Sequence, residues 1–364
     1  WGGAATRRWS VHLFAGRAGD DVMGWGRGAA IGAGLTAALI LGTSATFWSQ
    51  ATIANIRMPT ALAAAAGFYA LARYADAQDK RRADRSLAVF GLAMGIGVVH
   101  HPSLLFLGVF FLLYLLLIDP HLFTQPRRWW RPLLLALAGL LPLVYLPLRG
   151  AAGAPLAPPD VDTWSGFLHH VTARGFEGDM FAFATRQDLP QRLLLVPTLF
   201  RMQFSLELLV AAVLGGVVLA RHNWRLLLLL AGGLILHTFV AITYRAPQTV
   251  EYLMPAYLPI AILAGIAVAW LLSLARAPDD GRATALLNPV TTVLAAAVLL
   301  AGVVNGLNHA PSFFVLARDR STRTEMEVFL RGAPADALIL ADWRWATPLW
   351  YLNWVEGQRP DVEI

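Results

Sequence analysis

Residues 253–274 read LMPAYLPIAILAGIAVAWLLSL and contain no charged side chain. A helix needs about 20 apolar residues to cross the hydrocarbon core of a bilayer, so this stretch predicts a membrane-spanning helix. Eight further stretches approach or meet that length: 29–48, 59–74, 87–100, 103–118, 132–148, 206–220, 226–242 and 287–304. The sequence therefore predicts an α-helical polytopic membrane protein with about nine spans.

The composition agrees with a membrane protein and argues against several other classes. Hydrophobic residues make up 57% of the chain and charged residues 14%, far from the balance of a soluble domain. The net charge of +6 comes from arginines at helix ends, which predicts a membrane topology and no nucleic-acid partner. The chain has no Cys, no Gly-Lys-Ser/Thr phosphate loop and no HExxH motif. We therefore predict no metal site and no certain cofactor.

The basic segments fall in alternate connections between the apolar stretches. Because basic loops favour the cytoplasmic side, we place 1–28, 73–85, 127–131, 221–225 and 276–282 inside. The outer side then receives 50–58, 100–102, 149–204, 243–252 and the chain after about 305. This topology predicts a cytoplasmic segment 1–28, a transmembrane domain 29–305 with an outer loop 149–204, and an extracytoplasmic segment 306–364.

The extracytoplasmic segment has the pattern of an α/β domain. Residues 337–340 predict a buried strand, 347–355 a helix and 361–364 the start of a second strand. We expect a truncated α/β segment here, and the absence of an initiator Met also predicts a fragment.

Polar side chains at the outer boundary are candidates for substrate contacts. His100 and His101 precede Pro102, where a histidine pair is either simply hydrated or in contact with a phosphate. Arg149 ends an apolar run, and its guanidinium either snorkels to the interface or clamps a lipid-linked phosphate. Residues 164–170 predict an amphipathic helix that anchors the loop to the membrane or guides a lipid.

Six short motifs occur in an order that is typical of one membrane family. They are WSQA at 48–51, the histidine hairpin after GIG at 95–97, YLPLR at 145–149, FLHHVT at 167–172, EYLMP at 251–255 and PLWYLNWVEGQRPDV at 348–362. Together they resemble the family called domain of unknown function 2723, which is related to protein O-mannosyltransferases of the GT-C glycosyltransferase class. The resemblance extends over nearly the whole chain.

The resemblance implies a GT-C-like helix bundle with a defined reaction. Such enzymes transfer a sugar, here mannose-like, from a polyprenyl-phosphate donor to an acceptor hydroxyl of a protein or glycan on the outer face. The family places its acidic general base in an outer loop that would precede Trp1, so no catalytic residue is assigned within this chain. The high Ala and Arg content, with Lys80 as the sole lysine, favours the cytoplasmic membrane of a GC-rich bacterium.

The resemblance also suggests roles for the outer polar residues. Arg149 is the first candidate to bind the donor phosphate and His101 is the second. Glu251 and Tyr252 would orient the acceptor or the sugar hydroxyls, unless Glu251 is an exposed loop acid paired with Arg245. The candidate substrate-binding residues are Arg149, His101, His100, Glu251, Tyr252 and His170.

Two departures from the family pattern leave other functions open. Family members often read Glu-Val-Tyr where this chain has Asn55-Ile56-Arg57, and many carry an acid at the position of Gln248. These differences fit an altered acceptor or a member without transfer activity. The alternative is a noncatalytic lipid- or glycan-binding scaffold, or a transporter, although a transporter would more often carry charges near mid-membrane.

Overall fold

The computed structural model describes residues 27–53, 55–155, 157–246, 248–275 and 282–364. The predicted cytoplasmic segment 1–28 therefore lies outside the described residues except for its last two positions. The basic residue Arg276 of a predicted inner connection also lies outside them.

The described chain is a series of helices without β-strands. The α-helices are α1 (Arg27–Gly42), α2 (Ala45–Ala51), α3 (Arg57–Ala75), α4 (Lys80–His100), α5 (Leu104–Ile118), α6 (Trp130–Gly139), α7 (Tyr145–Ala151), α8 (Trp164–Val171), α9 (Leu189–Arg201), α10 (Leu206–His222), α11 (Trp224–Thr243), α12 (Thr249–Tyr252), α13 (Met254–Leu274), α14 (Arg282–Leu316), α15 (Ser321–Gly332) and α16 (Trp343–Trp350). A π-helical turn, Tyr351–Val355, follows α16.

Five helical segments are long and apolar enough to cross a bilayer, which makes this a helical membrane protein. They are Lys80–His100, Trp130–Ala151, Trp224–Thr243, Met254–Leu274 and a stretch within Asn288–Gly332. Two bent pairs, α1 with α2 and α9 with α10, raise the number to seven if each pair is one span. The described residues therefore do not support the predicted nine spans.

The two remaining predicted spans fall short for different reasons. Helix α5 is only 15 residues long, against the roughly 20 that a spanning helix needs. Helix α3 has 19 residues, but its apolar part is rich in Ala and lies between Arg57 and Arg73. Apolar length in the sequence therefore overstated the number of complete crossings.

Helices α1 and α2 meet at a bend of 76°, where side-chain amides form hydrogen bonds with backbone groups that have no partner within a helix. Gln203, in the bend between α9 and α10, accepts a hydrogen bond at 2.8 Å from the backbone N–H of Thr46. Asn305 donates to the carbonyl oxygens of Gln203 and Thr43, at 3.0 and 3.3 Å. A bilayer offers no water to free N–H and C=O groups, so these contacts stabilise both breaks.

Helix α13 is the centre of the helical unit. Every side chain from Met254 to Ala269 is buried, as expected for a helix that is apolar all round and packs on several neighbours. Helices α1, α10 and α11 surround it, and close approach depends on small residues. A Cβ at Gly215 of α10 would overlap the carbonyl oxygen of Leu263 in α13.

Residues 308–364 form a second compact unit, which is described here by itself. Its small core contains Met326, Leu330, Leu349, Leu352 and Val362. The predicted α/β segment is not supported, because the described part of this unit has one isolated parallel bridge, Leu338↔Glu363, in place of a sheet. Leu340 of the predicted buried strand is 90% exposed, so the apolar run 337–340 does not form a buried strand.

Candidate functional site

Four connections that the charge alternation places outside lie at one end of the helical unit. Arg57 from the 50–58 connection forms an ion pair with Glu251 from the 243–252 connection. The ring of His101, from the 100–102 hairpin, lies 5.4 Å from the ring of Tyr252, centroid to centroid. Asp179 of the long outer loop forms an ion pair at 2.7 Å with Arg245.

Two of the connections placed inside, 73–85 and the one that contains Arg128, meet at the guanidinium of Arg128. Its guanidinium forms ion pairs with Asp84 and Asp119, at 2.9 and 3.0 Å, and donates to the hydroxyl of Tyr74 at 3.0 Å. The ion pairs of Arg57 and Arg128 thus join different connections. Which set of connections faces the outside stays a prediction.

Five residues at the predicted outer end form one contiguous group, the Arg57 cluster, consisting of Arg57, His101, Gln248, Glu251 and Tyr252. Nη1 of Arg57 lies 3.0 Å from Oε2 of Glu251, and Nη2 donates to Oε1 of Gln248 at 2.6 Å. The guanidinium also lies over the Tyr252 ring, 5.0 Å from its centroid. Arg57, the last residue of the departure at Asn55-Ile56-Arg57 from the resembled family, therefore contacts Gln248, the other departure.

The start of α3 fixes the backbone that carries Arg57. Oδ1 of Asn55 accepts hydrogen bonds from the backbone N–H groups of Arg57 and Met58, at 2.8 and 3.0 Å. These donors have no partner within the helix, and a side-chain oxygen just before a helix commonly satisfies them. Asn55 thus acts as a cap that orients the first turn of α3.

The guanidinium of Arg57 retains an unused donor. Its side chain is 17% exposed, and the buried Nε has no hydrogen-bond acceptor among the described residues. An unsatisfied buried donor costs roughly 1–3 kcal/mol. The cluster therefore presents a cation whose hydrogen-bonding capacity is only partly filled by Glu251 and Gln248.

His101 supplies a neutral donor beside this cation. Burial, assisted by the positive charge of Arg57, lowers the pKa of His101 to about 4. Its Nδ1 accepts the backbone N–H of Ser103 at 3.1 Å, so the neutral ring carries its proton on Nε2. His101 can therefore donate a hydrogen bond at neutral pH without adding charge.

His237 is a residue that the sequence reasoning missed. It is 1% exposed on α11, and its Nε2 donates to the carbonyl oxygen of Tyr252 at 2.9 Å. This bond fixes the backbone of Tyr252 beneath the cluster. The available signal was a single histidine within the apolar stretch 226–242, because polar residues inside membrane helices often have a specific role.

The structure brings together three of the six predicted site residues and leaves the others apart. His101, Glu251 and Tyr252 belong to the cluster, and His100 is half-buried next to His101 at the end of α4. Arg149 and His170 are exposed on α7 and α8, and their side chains form no hydrogen bond or ion pair among the described residues. The alternative pairing of Glu251 with Arg245 is wrong, because their partners are Arg57 and Asp179.

One comparison identifies a relative for the first third of the chain. Residues 6–123 match the family model described as protein O-mannosyl-transferase TMEM260 N-terminal domain. No curated protein and no solved structure gives a significant match. Since the matched range contains Arg57, His100 and His101, part of the cluster lies within it. The match supports a relation to protein O-mannosyltransferases.

Proposed function

We propose that this protein is an integral membrane glycosyltransferase with a GT-C-like helix bundle. It would move a mannose-like sugar from a polyprenyl-phosphate donor to an acceptor hydroxyl on the outer face of a bacterial cytoplasmic membrane. The observation that carries the proposal is the match of residues 6–123 to the N-terminal domain of an O-mannosyltransferase. Several long apolar helices support the membrane setting.

The chemistry of the reaction suits the end of the bundle that contains the Arg57 cluster. The acceptor hydroxyl gives its proton to a base and its oxygen forms a bond to the sugar C1, while the bond from C1 to the phosphate oxygen breaks and the lipid phosphate leaves as an anion. Hydrogen-bond donors placed near the membrane boundary stabilise such a leaving group. His101 provides one neutral donor there, and Glu251 and Tyr252 would orient the sugar or the acceptor.

The remaining predicted residues keep proposed roles at the same side of the membrane. Arg149 would contact the donor phosphate from the lipid-exposed helix α7, with His100 and His170 as further contacts. The unit formed by residues 308–364 would be extracytoplasmic and would present or bind a protein or glycan acceptor. No general base is proposed within this chain.

A transfer assay tests this function. Full-length protein in nanodiscs is incubated with radiolabelled polyprenyl-phosphate mannose and a mixture of protein and glycan acceptors. We expect labelled product from the wild type and at least tenfold less from His101→Ala and Arg149→Ala. Arg131→Ala is the control, since this exposed arginine lies in a connection predicted to face inside.

The alternative is a protein that binds the lipid-linked sugar without transferring it. The contact between Arg57 and Gln248 favours this second candidate, because both positions differ from the family pattern and meet in one site. Donor binding without transfer to any acceptor would support it and contradict the enzyme. Absence of both binding and transfer would contradict both functions.

A further inference from the structure

We propose that Arg57 binds the phosphate of a lipid-linked ligand. In the absence of the ligand, the carboxylate of Glu251 occupies the position of the phosphate beside Arg57. The inference rests on the proposed function in one respect, the identity of the lipid as a polyprenyl phosphate. It does not require that the protein transfers the sugar. It assigns the anion-binding role to a residue that differs from the family pattern and lies in contact with Gln248.

The contacts of Arg57 match a phosphate better than the carboxylate that now occupies the place. Glu251 forms an ion pair with Nη1 at 3.0 Å, Gln248 occupies Nη2, and Nε has no acceptor among the described residues. A phosphate has several oxygens and commonly receives two parallel hydrogen bonds from one guanidinium. It would therefore take the parallel donors Nη1 and Nη2 together, in place of Glu251 and Gln248.

The charge balance requires that Glu251 leaves when the phosphate binds. Arg57 and Glu251 carry opposite charges, and the low pKa of His101 keeps that ring neutral at pH 7. A lipid phosphodiester brings one negative charge and a polyprenyl phosphomonoester about 1.5 to 2, so two anions would face a single cation if Glu251 stayed. Their repulsion is substantial at a few ångströms in a partly buried site.

Hydrogen bonds hold the backbone on both sides of the proposed phosphate position. The carbonyl of Tyr252 is held by His237, and the ring of Tyr252 supports the guanidinium of Arg57 at 5.0 Å. Asn55 holds the backbone at the start of α3. Arg57 is thus fixed from two sides, and the side chain of Glu251, which is 21% exposed, would rotate towards solvent when the phosphate binds.

The test is direct binding of polyprenyl phosphate, without a sugar, to full-length protein in phosphatidylcholine nanodiscs. We expect Arg57→Gln to weaken binding about tenfold or more, because it removes a charged hydrogen-bond donor. Arg57→Lys should bind with intermediate affinity, since it keeps the charge and loses the fork of donors. Glu251→Gln should tighten binding at least threefold, because the competing carboxylate is gone.

Two controls are needed. One distinguishes the specific role of Arg57 from the loss of any nearby positive charge, and the other distinguishes a lipid-linked phosphate from other anions. Arg245→Gln removes an exposed cation from the same connection and should change the affinity less than twofold. Inorganic phosphate and phosphatidylglycerol are added as competitors. Displacement of the polyprenyl phosphate by either one at equal concentration would contradict a site for a lipid-linked phosphate and indicate a general anion site.

The remaining outcomes decide the inference even if one variant does not fold. Unchanged affinity in Arg57→Gln, or in Arg57→Lys where the first variant is unstable, would overturn it. Weaker binding in Glu251→Gln would overturn the exchange. Arg57-dependent binding without sugar transfer would support the inference and contradict the proposed function. Sugar transfer with Arg57-independent binding would support the proposed function and overturn the inference.

Discussion

Arg128 joins two connections at the predicted inner end through its contacts with Asp84, Asp119 and Tyr74. Its side chain is 11% exposed, so its replacement leaves two carboxylates without their cation in a partly shielded place. We expect Arg128→Ala to destabilise the protein by roughly 2 kcal/mol, less than for a fully buried pair because the carboxylates keep some solvent contact.

The thermal unfolding midpoint in detergent measures this effect. Arg131→Ala is the matched control, since Arg131 is exposed on α6 and stacks on Trp130 without an ion pair to a described residue. Equal midpoints for the two variants would show that the Arg128 network does not stabilise the fold.

Asp119 gives the same network a pH dependence. Burial alone would raise the pKa of Asp119, but hydrogen bonds from Tyr74 and Arg128 outweigh it and hold the pKa below the usual value of 3.8. A carboxyl with a lowered folded-state pKa stabilises the fold above its unfolded value and loses this contribution as the pH falls through the folded value.

We therefore expect the wild type to be more stable than Asp119→Asn near neutral pH and to lose this advantage below pH 3.8. Thermal unfolding midpoints measured over a pH series check the prediction. Asp162→Asn, at an exposed position in the long loop, should follow the wild type at every pH. A constant difference between wild type and Asp119→Asn would contradict the assignment.

Helices α4 and α6 pack through two glycines on one face. A Cβ at Gly91 would overlap the carbonyl oxygen of Pro132, and a Cβ at Gly95 that of Ala136. Residues four apart lie above one another on a helix, and small residues at this spacing let membrane helices approach closely. The close packing of α4 against α6 therefore depends on the absence of side chains at Gly91 and Gly95.

We expect Gly95→Ala to destabilise the protein by about 1–3 kcal/mol through overpacking. Gly108→Ala on α5 is the matched control, because a Cβ there would meet no atom within 4 Å. The control should be neutral or slightly stabilising, since Ala favours a helix more than Gly does. Thermal unfolding in one detergent compares them, and an equally stable Gly95→Ala would contradict the close packing.

Helical character could be predicted from apolar length, but the breaks could not. The stretch 29–48 contains no charged residue, yet α1 ends at Gly42 and α2 begins at Ala45. Thr43 and Ser44 turn their hydroxyls back to the carbonyls of Leu39 and Leu41, both at 2.8 Å, as hydroxyl side chains often do at a bend. Amides from distant parts of the chain then satisfy the free backbone groups, and no local pattern reports these contacts.

The topology of the whole molecule can be read with introduced cysteines, because the chain has none. Glu177 and Arg127 are exposed in connections predicted to face opposite sides. In right-side-out vesicles, we expect an impermeant maleimide to label Glu177→Cys directly and Arg127→Cys only after permeabilisation. The reversed labelling pattern would invert the topology and place the Arg57 cluster at the cytoplasmic face.

The candidate site could be predicted only in part. Motif order and position identified His101, Glu251 and Tyr252, which the structure places in one group. Arg57 and Gln248 were visible only as differences from a family, because their contact joins residues 191 apart in the sequence. Such a contact depends on how α3 and the connection after α11 pack against each other, which a single sequence does not specify.

The most direct test of the account is transfer of radiolabelled mannose from polyprenyl-phosphate mannose by full-length protein in nanodiscs. The comparison is between wild type, Arg57→Gln and Arg245→Gln, with the same acceptor mixture. We expect product from the wild type and from Arg245→Gln, and at least tenfold less from Arg57→Gln. Absence of product from the wild type with every acceptor, or equal product from all three proteins, would contradict it.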